Sequence, residues 1–224
     1  MGAPAKIHPT AVRIHVGRSR IEGDLLNPPD ATGLVVFAHG SGSSRFSTRN
    51  QSVAQVLGSG GFATLMLDLL TREEDAIDVH TREFRFDIDR LGQRVIAAID
   101  WAAGVGEVAA LPIGCFGAST GAAAALIAAA ERPQLVHAVI SRGGRPDLAG
   151  YALPKVQAPT LLIVGGHDDQ VIELNRAAMR RMRAPVQMEI VPGATHLFEE
   201  PGALELVSKL ALDWCTRHLQ KPVH

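Results

Sequence analysis

The order of apolar runs along the chain constrains its fold more than any other feature. Short apolar segments such as Leu34–Ala38 and Thr160–Val164 alternate with amphipathic stretches such as Ile88–Ala103. A short continuous apolar run is typical of a strand buried on both faces, whereas apolar residues at helical spacing indicate a helix. Their alternation predicts an α/β fold: a mostly parallel, doubly wound sheet of about seven or eight strands with helices on both faces.

The whole chain, residues 1–224, is predicted to form one domain. Of its 224 residues, 46% are hydrophobic, which suits one sizeable core. Polar and apolar residues alternate in Val12–Val16 and Arg20–Leu26, a pattern that predicts antiparallel strands at the sheet edge. Residues 1–30 would then supply the edge strands, and residues 31–219 the catalytic core.

Charge and hydropathy argue against several classes of protein. A net charge of −1 does not suit binding to nucleic acid by broad phosphate neutralisation. No segment reaches the roughly 18 apolar residues of a membrane helix, and no apolar signal core follows residues 1–6. Cys115 and Cys215 lack the spacing of metal ligands and are expected to be reduced thiols. We therefore expect a cytoplasmic protein, monomeric or homodimeric, with neither nucleic acid nor membrane as a partner.

A Gly-x-Ser-x-Gly motif at residues 117–121 holds the candidate nucleophile. It follows the predicted strand Pro112–Phe116 and precedes an alanine-rich helix that ends near Arg132. In this position the two glycines relieve crowding at a sharp turn, and the helix N-terminus faces developing negative charge. The motif predicts Ser119 as a nucleophile, and the alternative is a purely structural turn.

A serine nucleophile requires a base, and the base benefits from an orienting acid. Asp168 and His196 follow the last two predicted strands, in the chain order Ser, Asp, His. The carboxyl ends of parallel strands meet at one edge of a sheet, so these side chains should converge with Ser119. Asp169 and Asp147 remain alternatives for the acid.

These residues make the chain resemble the α/β-hydrolase fold, and within it the small dienelactone-hydrolase-like and esterase-like members. The resemblance runs from about Leu34 to His218, and its motifs are His39–Gly42, Gly117–Gly121, Gly165–Val171 and Gly193–His196. It implies that the acid is the first carboxylate of a Gly-x-x-Asp-x-x-Val turn, Asp168. Dienelactone hydrolases proper use a cysteine nucleophile. The serine at 119 therefore favours an ordinary serine esterase mechanism.

The same resemblance implies an oxyanion hole. One donor would be the backbone amide of Thr120, the residue after the nucleophile. The family pattern places the second donor at the amide of Ser41, in the loop after the Leu34–Ala38 strand. By resemblance, His39 supports this loop and is not the base.

Family members that select bulky lipids often carry a large helical cap, which this sequence does not predict. Only residues 141–159 separate the strand after the central helix from the next strand, and they are rich in glycine and proline. A short loop is expected there. Such an open site suits small or extended acyl substrates.

Three arginines near the predicted mouth are candidate substrate contacts. Arg45 lies just beyond the oxyanion loop, and Arg142 and Arg145 follow the Val136–Ile140 strand. A guanidinium at a pocket rim can bind a carboxylate or phosphate through two parallel hydrogen bonds. Plain solvation of these side chains is the alternative.

The sequence thus predicts a serine carboxylic-ester hydrolase that acts on a small-molecule acyl substrate. Nucleotide binding is disfavoured, since Arg45 occupies the third glycine position of a Gly-x-Gly-x-x-Gly motif. None of the nine histidines forms a metal-binding pair, so no metal or cofactor is expected. The alternatives are a thioesterase or small peptidase with the same triad, or a non-catalytic binding protein on this fold.

Overall fold

One eight-stranded sheet organises the chain. The computed structural model describes residues 8–219, which include residues of both predicted edge strands and of the predicted core. The strands are β1 (Thr10–Val16), β2 (Ser19–Leu26), β3 (Leu34–Ala38), β4 (Ala63–Leu67), β5 (Ile113–Ala118), β6 (Val136–Arg142), β7 (Thr160–Gly165) and β8 (Val186–Val191). The predicted mostly parallel sheet of seven or eight strands is confirmed.

Strand order determines where loops can meet. The order across the sheet is β1-β2-β4-β3-β5-β6-β7-β8. Strand β2 pairs antiparallel with β1 and β4, and every pair from β4 to β8 is parallel. The strands from β3 to β8 therefore end at the same edge of the sheet, which is where ligands bind in parallel α/β proteins.

The described residues, 8–219, form six α-helices, and helices cover both faces of the sheet. They are α1 (Thr48–Ser59), α2 (Arg72–Thr81), α3 (Ile88–Ala102), α4 (Thr120–Glu131), α5 (Asp169–Met179) and α6 (Ala203–His218). Helices α1 and α6 pack together over one apolar cluster, and α3 and α4 pack together over the other. Burial of apolar surface on both faces explains why the central strands are almost wholly apolar.

The central helix α4 is buried along nearly its whole length. Its alanines give a small cross-section, so that the sheet and neighbouring helices approach it closely. On α3, a Cβ added to Gly92 would lie 2.8 Å from Cγ2 of Ile127 on α4. The close packing of these two helices at Ile127 therefore depends on the lack of a side chain at Gly92.

Two segments between the larger elements contain helical turns, residues 70–86 and residues 141–159. The charged stretch 70–86 contains α2, whose first turn is closed by a capping box between Thr71 and Glu74. Residues 141–159 contain 3-10 turns at Pro146–Lys155 that pack against α4. No large cap domain is present within residues 8–219, as predicted.

No helix within the described residues is both long enough and apolar enough to cross a membrane. The first residues, 1–6, on which the expectation about a signal segment rests, lie outside the described part of the chain.

Candidate active site

Ser119 occupies the sharp turn between β5 and α4, in a backbone conformation that is unfavourable for a residue with a side chain. Its φ is 50° and its ψ is −122°, and L-residues seldom adopt a positive φ. Although Ser119 is the N-cap of α4, its hydroxyl makes no capping hydrogen bond, which is the usual role of serine there. The hydroxyl therefore does not cap the helix. The backbone conformation that carries it costs about 1–3 kcal/mol.

The glycines on either side of Ser119 are required by close approach. A Cβ on Gly117 would lie 2.4 Å from Cα of Ala122, and a Cβ on Gly121 would lie 2.3 Å from the carbonyl oxygen of Ala38. Backbone atoms cannot yield to such contacts as a flexible side chain would. The turn thus requires glycine at both positions, which agrees with the interpretation that the two glycines of the motif relieve crowding.

His196 and Asp168 are in direct contact. Nδ1 of His196 lies 2.6 Å from Oδ2 of Asp168. An ionised carboxylate only accepts hydrogen bonds, so Nδ1 carries the proton and Nε2 is left as an acceptor. The Asp168 side chain is largely buried and that of His196 is half-exposed. This arrangement suits an orienting acid and a base that faces a substrate.

The turn that carries Ser119 and the loop that carries His196 meet at the end of β6. The amide of Ser119 donates to the carbonyl of Arg142 at 3.2 Å. A Cβ added to the next residue, Gly143, would lie 3.0 Å from the carbonyl oxygen of His196 and 3.6 Å from Cε1 of its ring. Gly143, with a φ of 51°, therefore lies beside the predicted base and follows the residue that accepts the amide of Ser119.

Two backbone amides beside Ser119 make no hydrogen bond within residues 8–219. They are the amide of Thr120, the first residue of α4, and the amide of Ser41, in the loop after β3. A Cβ on Gly40 would lie 3.1 Å from Cβ of Ser119, so the Ser41 loop passes beside the nucleophile position. Uncommitted amides at a helix N-terminus and in an adjacent loop can bind a developing oxyanion.

His39 is buried, and both of its ring nitrogens bond to the backbone. Nδ1 donates to the carbonyl of Gly40 at 2.8 Å, and Nε2 accepts from the amide of Leu69 at 3.0 Å. Burial is the main cause of a pKa below the usual value for histidine. His39 therefore joins the loop after β3 to the loop after β4 as a neutral ring, in keeping with a supporting role.

Arg45 is held by carboxylates of the protein itself. Its side chain forms ion pairs with Asp68, Asp24 and Glu22, and its backbone amide donates to Oδ1 of Asp68 at 2.8 Å. The neighbouring carboxylates raise the pKa of Arg45 despite the opposing effect of burial, which is the largest single contribution. The guanidinium thus anchors the loop of residues 39–47, and its three nitrogens already pair with carboxylates of the protein.

Arg145 is likewise paired within the chain. Its Nε and Nη2 donate to the two carboxylate oxygens of Asp147 at 2.9 and 2.8 Å. This two-point pair engages Asp147, one of the alternatives for the catalytic acid. The other alternative, Asp169, is the exposed first residue of α5.

Arg142 differs from the rim position that the sequence predicts for it. Strand β6 continues to this residue instead of ending at Ile140, because parallel pairing with β5 and β7 extends that far. The Arg142 residue is only 7% exposed, and its Nη2 donates to Oδ1 of Asn50 at 3.2 Å. Burial lowers its pKa to about 10, and the charge of Arg49 contributes.

Sequence reasoning missed Asn50 and Phe198. Asn50, in the first turn of α1, is buried beside Arg142. The Phe198 ring is buried two residues after His196, with a backbone φ of 57°. No motif marks either residue, since each is defined by contacts between distant segments.

Neither cysteine suits a catalytic role. Cys115 and Cys215 are free and buried, and burial raises the pKa of each thiol to about 12. No group of three or more His, Cys, Asp or Glu side chains within residues 8–219 could hold a metal ion. The two thiols are therefore protonated packing groups at neutral pH.

Known proteins resemble this chain over nearly its whole length. The family model described as "Dienelactone hydrolase family" matches residues 21–214. A crystal structure of a dienelactone hydrolase from Anabaena variabilis is 53% identical, with a TM-score of 0.94 over 96% of this chain and 100% of that chain. An esterase domain from a Rhodothermus marinus protein is 20% identical, with a TM-score of 0.73 over 94% of this chain and 99% of that chain, and shows the shared fold.

A Mycobacterium tuberculosis protein that bears the name phosphoribosyl transferase is 54% identical over 211 residues. The match covers 94% of this chain and 47% of that protein, so the chain spans about half the length of its curated relative. The family match over residues 21–214, together with the matching architecture, shows that this chain is a hydrolase-fold protein of the dienelactone hydrolase family.

Proposed function

We propose that this chain is a serine carboxylic-ester hydrolase that acts through Ser119, His196 and Asp168. The observation that carries the proposal is the strained backbone of Ser119, with a φ of 50° at an N-cap whose hydroxyl caps nothing. A conformation of this cost persists only where the surrounding structure enforces it, and such sites cluster in active sites. Membership of a hydrolase family supports the same reaction class.

Acylation of the enzyme is the first chemical step. His196 takes the proton of the Ser119 hydroxyl at Nε2 as Oγ attacks the ester carbonyl. The 2.6 Å contact with Asp168 orients the ring and stabilises its protonated form. The amides of Ser41 and Thr120 bind the oxyanion of the tetrahedral intermediate. His196 then protonates the departing alcohol, and the acyl group remains on Ser119.

Deacylation uses the same groups in reverse. His196 removes a proton from a water molecule, which attacks the acyl carbonyl while the two amides again hold the oxyanion. Collapse of the intermediate releases the carboxylic acid and restores the Ser119 hydroxyl. An open mouth without a large cap gives water access to this step and suits small or extended acyl groups.

The test is intact-mass labelling with a fluorophosphonate, together with hydrolysis of p-nitrophenyl butyrate. We expect one adduct on the wild type, no adduct on Ser119→Ala, and full labelling of Ser59→Ala, which alters an exposed serine at the end of α1. Failure of folded wild-type protein to label, or labelling that survives in Ser119→Ala, would refute the proposal and favour a non-catalytic binding protein.

Substrate type is tested by comparing leaving groups with a common acyl group. An ester, a thioester and an anilide of butyric acid present the same acyl part to Ser119. We expect the ester to have the highest kcat/KM after correction for its intrinsic reactivity. A higher corrected value for the thioester or the anilide would replace the esterase assignment with a thioesterase or peptidase.

A further inference from the structure

Residues 142–145, which we call the brace, bond to Ser119 on both sides of its Cα. The amide of Ser119 donates to the carbonyl of Arg142 at 3.2 Å, and its carbonyl accepts from the amide of Arg145 at 3.0 Å. The same carbonyl accepts from the amide of Ala122 in α4 at 3.1 Å. These groups belong to the two rigid peptide planes whose relative orientation is set by φ and ψ of Ser119. Hydrogen bonds on both planes therefore constrain both angles, including the positive φ of 50°.

Most of the brace lies beyond the end of β6 and is held by contacts to other segments. Its two middle residues are glycines, and Gly143 has a φ of 51°, which glycine adopts at no steric cost. The amide of Gly143 donates to the carbonyl of Ile163 in β7 at 2.8 Å. The carbonyl of Gly144 accepts from the side chain of Asn175 at 3.0 Å. Because glycine restricts the backbone little, the position of the brace depends on such contacts.

Asn175 is a fully buried amide on α5. Its exposed fraction is 0%, and its Nδ2 donates to the carbonyls of Gly144 and Val171 at 3.0 and 2.8 Å. Both partners only accept hydrogen bonds, so the nitrogen of the amide must face them. Since the carbonyl of Val171 lies one turn earlier in α5, that bond fixes the direction of the side chain. The second hydrogen of Nδ2 then points at the brace.

An amide at this position costs free energy that an apolar residue would not. The neighbouring buried positions of α5 include the apolar residues Ile172 and Ala178. Oδ1 of Asn175 is buried and has no hydrogen bond within residues 8–219, and a buried acceptor without a partner is destabilising. Of the two hydrogen bonds that Nδ2 donates, the bond to Gly144 is the one that leaves α5. The contact with the brace therefore explains a polar residue here.

The same helix carries the predicted acid. Asp168 is the N-cap of α5, and its carbonyl accepts the amide hydrogen of Ile172 at 2.9 Å. Asn175 lies about two turns further along the helix. Helix α5 thus holds Asp168 at its start and, through Asn175, the brace that holds Ser119.

We propose that Asn175 is a positioning residue for Ser119, on which it acts through the carbonyl of Gly144 and the brace. The inference rests on the proposed esterase function and deepens it by naming a contact that maintains the strained nucleophile. Loss of the bond to Gly144 lets the brace shift and Ser119 relax toward an ordinary φ, which moves Oγ away from His196 and the oxyanion amides. The consequence is slower chemistry at unchanged substrate binding.

Two variants separate the bond to the brace from the rest of the side chain. In Asn175→Ser, the hydroxyl can donate to the carbonyl of Val171 but is too short to reach Gly144. A serine on α6, Ser208, makes the same type of bond to the carbonyl four residues earlier at 2.9 Å. Asn175→Leu keeps the branching of the side chain and removes both bonds.

The control is Thr160→Val, which also removes a buried hydrogen bond to a backbone carbonyl. The hydroxyl of Thr160 donates to the carbonyl of Ala158 at 3.1 Å, and Thr160 is the first residue of β7, at the opposite end of the strand from the site. We measure kcat and KM for p-nitrophenyl butyrate and the rate constant of fluorophosphonate labelling. Urea denaturation shows that each variant is folded under the assay conditions.

We expect Asn175→Ser and Asn175→Leu to lower kcat and the labelling rate by about 10- to 100-fold, with KM changed by less than about threefold. Thr160→Val should keep both rates, because a loss of stability alone does not move the nucleophile in the folded enzyme.

A second measurement requires no turnover. Ser119→Gly and Ser119→Ala are compared by urea denaturation, both in the wild type and in Asn175→Ser. Alanine is strained at a positive φ and glycine is not, so Ser119→Gly should have the higher unfolding midpoint while the brace holds residue 119. In Asn175→Ser this difference should fall by about half or more, because alanine can then adopt an ordinary φ.

Several outcomes would overturn the positioning role. They are an unchanged kcat in both Asn175 variants, a raised KM at unchanged kcat, and an equal loss of kcat in Thr160→Val. A difference between Ser119→Gly and Ser119→Ala that is the same in both backgrounds would also exclude it. A folded wild type that neither labels nor turns over ester would instead refute the esterase function, whereas the stability comparison would still decide the role of Asn175.

Discussion

Nδ1 of His196 lies 2.6 Å from Oδ2 of Asp168, although 28 residues separate them in the chain. The contact bridges the loops that follow the two last strands of the sheet. It determines which ring nitrogen carries the proton, and it leaves Nε2 available toward the substrate. The neighbouring Asp169, which belongs to the exposed first turn of α5, is not in this contact.

Replacement of the two adjacent aspartates should therefore have unequal effects. We expect Asp168→Asn to lower kcat by about 10³- to 10⁴-fold, because an amide can stabilise the wrong histidine tautomer and cannot balance the imidazolium charge. The matched variant Asp169→Asn should change kcat only slightly. The measurement is steady-state hydrolysis of p-nitrophenyl butyrate, and similar small losses in both variants would contradict the assignment of the acid.

The strain at Ser119 predicts a gain in stability when the side chain is removed altogether. Glycine adopts a positive φ at no steric cost, whereas alanine does not. We expect Ser119→Gly to exceed Ser119→Ala in free energy of unfolding by about 1 kcal/mol, although both variants are inactive. Urea denaturation measures this difference. Equal stability of the two variants would show that the turn is not strained.

Gly121 should tolerate no side chain. A Cβ there would lie 2.3 Å from the carbonyl oxygen of Ala38 and 2.5 Å from that of His39, so Gly121→Ala should lower the free energy of unfolding by about 3 kcal/mol. The control is Gly104→Ala, where the nearest atom is 3.7 Å away. Thermal unfolding of the two variants checks the prediction, and comparable melting temperatures would disprove it.

Replacement of Arg45 should lower the stability of the protein and leave its substrate selectivity unchanged. Arg45→Ala leaves Glu22, Asp24 and Asp68 close together without their shared cation, and we expect a loss of about 2–3 kcal/mol in unfolding free energy. Arg132→Ala, which breaks an exposed pair, should cost less than about 1 kcal/mol. A large change in KM for p-nitrophenyl butyrate in Arg45→Ala would show that this arginine contacts substrate after all.

The buried ring of His39 predicts a pH dependence of stability. Burial lowers its pKa in the folded state below the value of 6.5 expected when unfolded. As pH falls below 6.5, the unfolded chain therefore binds the proton first. The contribution of neutral His39 to stability is complete above pH 6.5 and is lost as the pH approaches the lowered value.

Unfolding free energies at pH 7.5 and 5.5 test this sign. The wild type should lose more stability on acidification than His39→Gln does, by at most about 1.4 kcal/mol per pH unit for one proton. The comparison within a pair of proteins cancels the effect of the other histidines. An equal or smaller loss in the wild type would contradict the prediction.

Local sequence patterns were sufficient to predict a structural feature wherever that feature depends on residues close together in the chain. Strand β3 has the predicted bounds, because a continuous apolar run is a signal that acts within a few residues. The need for glycine at 117 and 121 also follows from the local motif. Strand β6 is longer than predicted because its pairing with β5 and β7 extends through the polar residues Ser141 and Arg142.

The sequence by itself determined the class of fold, the order of its elements and the three predicted catalytic residues. Hydrophobic periodicity and the Gly-x-Ser-x-Gly motif are short-range signals that depend on no distant contact. Only the tertiary structure decided how the three arginines are used. Arg45 and Arg145 are paired with carboxylates of the chain, whereas Arg142 is buried and donates a hydrogen bond to Asn50. Partners of a long charged side chain come from residues far apart in sequence, and no local pattern encodes them.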